Sequence, residues 1–177
     1  RESVKDSDLI VLGVPVGAME SIVSEIAPFL KSGTIITDVG SVKKHLIDSI
    51  LPILPSDVFF VPGHPIAGTE KSGPEAGFAE LFNGRWCILT PNKNTSQVAL
   101  EKVKFIWEQA GMQIATMDAE YHDRVLAITS HIPHLVAFSI VGTVTELEDQ
   151  LKTEVIKYSA GGFRDFTRIA ASDPIMW

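Results

Sequence analysis

Of the 177 residues only one is cysteine, Cys87. An internal disulfide is impossible, and a reducing, cytoplasmic setting fits. Positive charge is also scarce: 15 Lys and Arg stand against 22 Asp and Glu, a formal charge of −7. That balance argues against a nucleic-acid backbone or an anionic membrane as partner. It leaves room for a small anionic substrate, which needs only a few local basic groups. No apolar run reaches spanning length, and no signal peptide, internal repeat or low-complexity segment is present. There is no initiator methionine before Arg1 and no polar tail after Trp177. Both ends read as cuts, so the chain is expected to be a fragment of a longer protein. What is present is an apolar fraction of 45%, enough for a real core.

Short apolar runs alternate with amphipathic stretches over the first two thirds of the chain. Leu9–Leu12, Thr34–Thr37, Val58–Val61, Trp86–Thr90 and Met112–Met117 read as strands. Between them, Ala18–Leu30, a stretch from Ser41 to about Leu51, and Thr95–Ala110 carry apolar residues at helical spacing. Gly33 is expected to stop the first helix and Ser41 to cap the second. Such alternation predicts a parallel sheet covered on both faces. From Asp118 to about Leu147 no strand signal remains, and one long apolar helix is expected, kinked near Pro133. The expected boundary falls near residue 117, with an α/β part at 1–117 and an all-helical part at 118–177.

Chemistry concentrates in a few places. Pro62-Gly63-His64-Pro65 directly follows the third strand, where open α/β sheets place ligands. His64 is there as a candidate proton acceptor. Asp38-Val39-Gly40-Ser41-Val42-Lys43 follows the second strand. Its glycine permits close backbone approach and its serine opens a helix whose free N–H groups favour anions; a plain strand-to-helix turn explains it equally well. On the long helix, Asp123, Ser130 and His134 fall within roughly 40° of one another and His131 lies further round the same side. His131 and His134 have metal-ligand spacing, but no third ligand is evident and no metal is expected. Gly161-Gly162-Phe163-Arg164-Asp165-Phe166-Thr167-Arg168 presents two arginines suited to carboxylates. Surface pairing with Asp165 and Asp173 is the plainer reading, favoured for Arg164 and left open for Arg168. Cys87, in Trp86-Cys87-Ile88-Leu89, reads as a buried, inert thiol.

Taken together, these stretches resemble the prephenate/arogenate dehydrogenase family of tyrosine biosynthesis. The matching residues are Asp38–Lys43, Gly63–Gly73, Ser130-His131-Ile132-Pro133-His134, Gly161–Ala170 and Ser172–Trp177. The resemblance covers essentially the whole chain. It implies a Rossmann-like parallel sheet, N-terminally incomplete, followed by an all-helical dimerisation domain, C-terminally incomplete. The family's opening Gly-x-Gly-x-x-Gly turn and the ribose-reading residue after it are missing here. The activity implied is NAD- or NADP-dependent oxidative decarboxylation of prephenate to 4-hydroxyphenylpyruvate, or of arogenate to tyrosine. By the resemblance, His64 is the base and Ser41 orients it. Arg168 binds a substrate carboxylate, and Ser130, His131, His134, Thr69 and Glu70 line the substrate pocket. Gly161 and Trp177 reach the partner subunit's site in a homodimer. Asp123 holds Arg168 or a helix histidine. Val14, Pro15, Val16, Asp38, Gly40 and Ser41 are the remaining cofactor contacts.

Two other readings stay open. A β-hydroxyacid dehydrogenase would share the architecture, but those enzymes carry a lysine on the long helix, and no lysine lies between Lys104 and Lys152. A non-catalytic fragment that binds an aromatic ligand or dimerises would also fit the missing nucleotide turn.

Overall fold

The computed structural model describes residues 2–68, 73–151 and 156–172. Residues 1–67 and 78–124 form one compact unit, and 68–77 with 125–177 form a second.

In the first unit, β1 (Leu9–Leu12), β2 (Ile35–Asp38) and β3 (Phe59–Val61) pair in parallel in the order β1-β2-β3. Every residue of β2 is buried, as a central strand covered on both faces requires. Its alternation divides the core. Ile35 packs with Val61, Cys87, Leu89 and the inner face of α3 (Gln97–Gln109), namely Ala99, Leu100, Val103 and Trp107. Ile36 packs to the opposite side with Leu12, Phe60, Met19 and Val23 of α1 (Val16–Ile26), and Leu46 and Ile50 of α2 (Lys44–Ile50).

A second three-stranded sheet holds β4 (Gly63–Pro65), β5 (Trp86–Leu89) and β6 (Gln113–Thr116). β5 and β6 run parallel, but β4 is antiparallel to β5, with His64 opposite Ile88. The parallel arrangement predicted from sequence therefore carries one antiparallel edge, a common addition to such sheets. The Gly-His-Pro triplet has no strand periodicity. Its pairing is carried by backbone instead, with the Ile66 N–H donating to Trp86 and the Thr90 N–H to Pro62 on either side.

Local signals were partly misleading. Pro28 converts the end of α1 into a 3₁₀ turn, Ala27–Phe29, so α1 stops well before Gly33. Ser41 does not cap α2, which begins at Lys44 with Lys43 in the cap position. By contrast, Ser96 caps α3, its Oγ accepting from the Ala99 N–H at 3.3 Å.

The long helix is present and interrupted where Pro133 predicts. α4 (Ala119–Leu126) passes through a π-helical turn, Ala127–His131, into α5 (Ile132–Leu151). Pro133 has no N–H for the Thr129 carbonyl. The widened turn takes up the break, and the Ile132 N–H reaches back to the Ala127 carbonyl. In the second unit, α5 packs against α6 (Gly161–Thr167) and the 3₁₀ turn Arg168–Ala171. Among the described residues Ala119–Leu147 is long and apolar enough to cross a membrane, with a mean hydropathy of 1.6 and 11% of its most apolar window buried. The expectation that no segment reaches spanning length fails by that measure.

Candidate active site

The site in the first unit is built around a buried ion pair. Lys43 and Asp38 are both fully buried, and the Lys43 ammonium donates to Asp38 Oδ2 and, at 2.6 Å, to the carbonyl of Gly63. The same carboxylate accepts from the backbone N–H of Gly40 at 2.9 Å and of Gly63 at 3.1 Å. Burial pushes the Asp38 carboxyl up, against the pull of Lys43. Burial pushes the Lys43 ammonium down, against the pull of Asp38. The pair thus ties the end of β2 to both backbone groups of Gly63, the residue before His64. A Cβ on Gly63 would lie 3.0 Å from the Asp38 carbonyl oxygen, and one on Gly40 would lie 3.0 Å from both Asp38 Oδ2 and Leu46 Cδ1. Both glycines serve close packing. The Asp38 carboxylate and the Gly40 amide both belong to this internal network.

On that mount stands His64, partly exposed. Its Nδ1 lies 2.9 Å from Nε2 of His122, with the rings edge to face. His122 is fully buried. Its own Nδ1 lies 2.7 Å from Asp123 Oδ1. Asp123 is held in turn by the N-terminus of α2: Oδ1 accepts from the Lys43 N–H at 2.8 Å and Oδ2 from the Lys44 N–H at 2.9 Å. Partial burial alone would raise the Asp123 carboxyl. The hydrogen bonds from His122 and from the Lys44 and Lys43 amides outweigh it and hold the carboxyl below the usual range.

This corrects one expectation. The helix cap assigned to Ser41 is supplied by Asp123, 80 residues away in sequence. The hydrogen bonds of Asp123 go to His122 and to these amides. His64 Nδ1 meets His122. Ser41 itself lies half-buried in the bend before α2. Lys43 and His122 went unrecognised as site residues. Lysine is rarely fully buried, and His122 has no local motif around it. The only hint was that Lys43 closes the Asp38–Lys43 run.

Val14 and Pro15 lie in the turn between β1 and α1, at the carboxyl end of the parallel strands, and Val16 opens α1. A Cβ at either flanking glycine, Gly13 or Gly17, would meet nothing within 4 Å. In the second unit Ser130 and His131 lie on the π turn, and His134 lies in the first turn of α5 with Nδ1 2.9 Å from the Ser130 carbonyl. Gly161 opens α6 and Arg168 opens the following 3₁₀ turn. Thr69, Glu70 and Trp177 lie outside the described residues. Burial pushes the Cys87 thiol up to about 12, as the reading of an inert thiol requires. An open apolar hollow of about 560 Å³, lined by Leu9, Ile35, Val98, Phe105 and Ile106 among others, contains none of the expected site residues.

Residues 1–116 match the family model described as prephenate dehydrogenase, nucleotide-binding domain, and residues 118–177 match prephenate dehydrogenase, dimerization domain. The chain is 46% identical to a cyclohexadienyl dehydrogenase of Zymomonas mobilis over 177 residues, all of this chain and 60% of that protein. It is 39% identical to a prephenate dehydrogenase of Bacillus subtilis, over 98% of this chain and 47% of that protein. Among solved structures, prephenate dehydrogenase from A. aeolicus in complex with hydroxyphenyl propionate and NAD+ superposes with a TM-score of 0.90 at 43% identity, over 99% of this chain and 61% of that one. The chain thus spans roughly half to three fifths of the length of the curated relatives it matches. With matches over both of its parts, the chain belongs to the prephenate dehydrogenase family.

Proposed function

We propose that the protein carrying this chain oxidises and decarboxylates prephenate, or its amino counterpart arogenate, in tyrosine biosynthesis. The observation that carries the reading is His64. It is mounted on Gly63 by the Lys43–Asp38 pair, and one ring nitrogen is already engaged by His122. Held this way, the imidazole is oriented as the acceptor for the proton of a substrate hydroxyl. As the ring hydroxyl becomes a carbonyl, His64 Nε2 takes that proton. Loss of the ring carboxylate as carbon dioxide then leaves the aromatic 4-hydroxyphenyl product. Arg168 binds a substrate carboxylate, where a guanidinium gives paired N–H bonds. Ser130, His131, His134, Thr69 and Glu70 line the pocket, and Ser41 lies beside the cofactor.

NAD or NADP supplies the hydride acceptor. The open space beside Gly13 and Gly17 fits a dinucleotide passing close to the backbone, and Val14, Pro15 and Val16 would hold it there. The chain contains no Gly-x-Gly-x-x-Gly turn for the pyrophosphate. The A. aeolicus relative was solved with NAD+ and a hydroxyphenyl ligand, which supports both halves of the reading.

The protein is a homodimer through its helical part, with Gly161 and Trp177 reaching the partner subunit's site. Ile128, Ile132, Leu135 and Val136 follow i, i+4, i+7, i+8 spacing on one helical face, and each is at least 40% exposed. A stripe of that kind suits a protein partner. The functional division falls near residue 117, and the reduced Cys87 suits the cytoplasm. The test is to supply the full-length protein with prephenate or arogenate and either cofactor. Equal amounts of reduced nicotinamide and carbon dioxide are expected from at least one combination. Reduction from none of the four would refute the proposal.

A further inference from the structure

We infer that His122 and Asp123 form a positioning relay behind His64, fixing the tautomer of the base and sharing the proton it accepts. The inference rests on the reading of His64 as the base and adds two residues to it.

The argument is one of hydrogen-bond bookkeeping. The Asp123 carboxylate can only accept, and it already accepts from two backbone amides. Its 2.7 Å contact therefore places a proton on His122 Nδ1. The relay takes His122, which is fully buried, as a neutral ring at rest, with its lone pair on Nε2. The 2.9 Å contact from that nitrogen then requires His64 Nδ1 to be the donor. His64 is thereby committed to the tautomer with its lone pair on Nε2. The polarity of the whole chain is set at the amides of Lys43 and Lys44, which cannot reverse.

The same line of contacts serves the protonated state. When Nε2 of His64 gains a proton, the Nδ1–H bond to His122 becomes charge-assisted and strengthens. The proton can move on to His122 Nε2, as Nδ1 of His64 releases it, and the resulting imidazolium pairs with Asp123. Two rings and a carboxylate thus hold one positive charge in a region where a lone buried imidazolium would be costly. A histidine serving only the core would satisfy its nitrogens on nearby backbone. Here both nitrogens of His122 go to side chains, one of them the candidate base. Among the described residues of the first unit, the Lys43–Asp38 pair and Cys87 opposite β4 also lie near this line of contacts.

Two measurements on the full-length protein test this. Nitrogen-15 NMR of its histidines at neutral pH should show Nδ1–H tautomers for both His64 and His122. His64 protonated on Nε2 instead, or His122 already an imidazolium, would overturn the relay. This readout needs no substrate, so it can fail while the dehydrogenase reading stands, and the reverse. In the second, His122→Leu should lower kcat by about 10–100-fold, the worth of a hydrogen bond to a charged group, with KM within about threefold. The acidic limb of its pH–rate profile should move to lower pH, because the imidazolium of His64 has lost its acceptor. His122→Gln, which can donate to Asp123 and accept from His64, should restore most of both. A folded His122→Leu protein with unchanged kcat and an unmoved limb would refute the relay.

Discussion

Replacing Lys43 by methionine isolates what the buried ion pair contributes. The substitution keeps the apolar stem and removes the ammonium. Asp38 would then be a fully buried carboxylate with two amide donors, Gly40 and Gly63, and no counter-charge. The Gly63 carbonyl would lose its 2.6 Å donor as well. Removing one partner of a buried pair costs about 3–5 kcal/mol. At about 2–4 °C per kcal/mol for a chain of this size, the melting temperature of the first unit should fall by about 6–20 °C. Thermal unfolding, followed by the fluorescence of Trp107, which is buried against Phe82, measures it. The deficit should depend on pH with a definite sign. The folded Asp38 carboxyl is already raised by burial and rises further without Lys43. A raised folded value means stability present at low pH and lost as pH climbs through it. Lys43→Met should therefore be nearer wild type at pH 4 than at pH 8. Adding Asp38→Asn, which removes the stranded charge and keeps an acceptor for the amides, should recover more than half of the loss at pH 8. A single variant within about 1 kcal/mol of wild type at pH 8 would refute the reasoning, because a stranded carboxylate cannot be that cheap.

Further outcomes follow for Asp123, Cys87 and Arg168. Asp123→Ala removes the cap of α2 and should cost about 0.5–2 kcal/mol in urea unfolding. Since the Asp123 carboxyl is held low, its contribution is present above the ordinary carboxyl range and lost as pH falls through the lowered folded value, so Asp123→Asn should flatten the acid side of the stability curve. Cys87, buried and with its thiol pushed up to about 12, stays protonated at pH 7. A disulfide reagent should label it fully in urea and negligibly in the native chain. In the full-length protein Arg168→Gln should raise the KM for prephenate by about 10–100-fold, the worth of a charge-assisted bond, while leaving kcat within a few-fold. An unchanged KM would return Arg168 to the surface.

Sequence pattern carried the elements that bury apolar runs. Ile35-Ile36, Phe59-Phe60 and Cys87-Ile88-Leu89 all read as strands because their side chains enter the core. β4 did not, because Gly63-His64-Pro65 pairs through backbone and buries no apolar pattern of its own. The site divided the same way. His64 was legible from its place after a strand and the glycine and prolines around it. His122 was not, because its meaning comes from His64, 58 residues earlier. Lys43 lay inside a recognised motif, yet a lysine in sequence signals a solvated surface. Only the fold brings Asp38 and Gly63 around it. The cap of α2 was assigned to the nearest serine because local rules see only neighbours, whereas Asp123 arrives from another helix.

His64→Asn in the full-length protein tests the central claim most directly, with kcat and KM for prephenate measured together. The account predicts that kcat falls by about 10²–10⁴-fold, the contribution of a general base, while KM stays within about threefold. A folded variant turning over within a few-fold of wild type would contradict it.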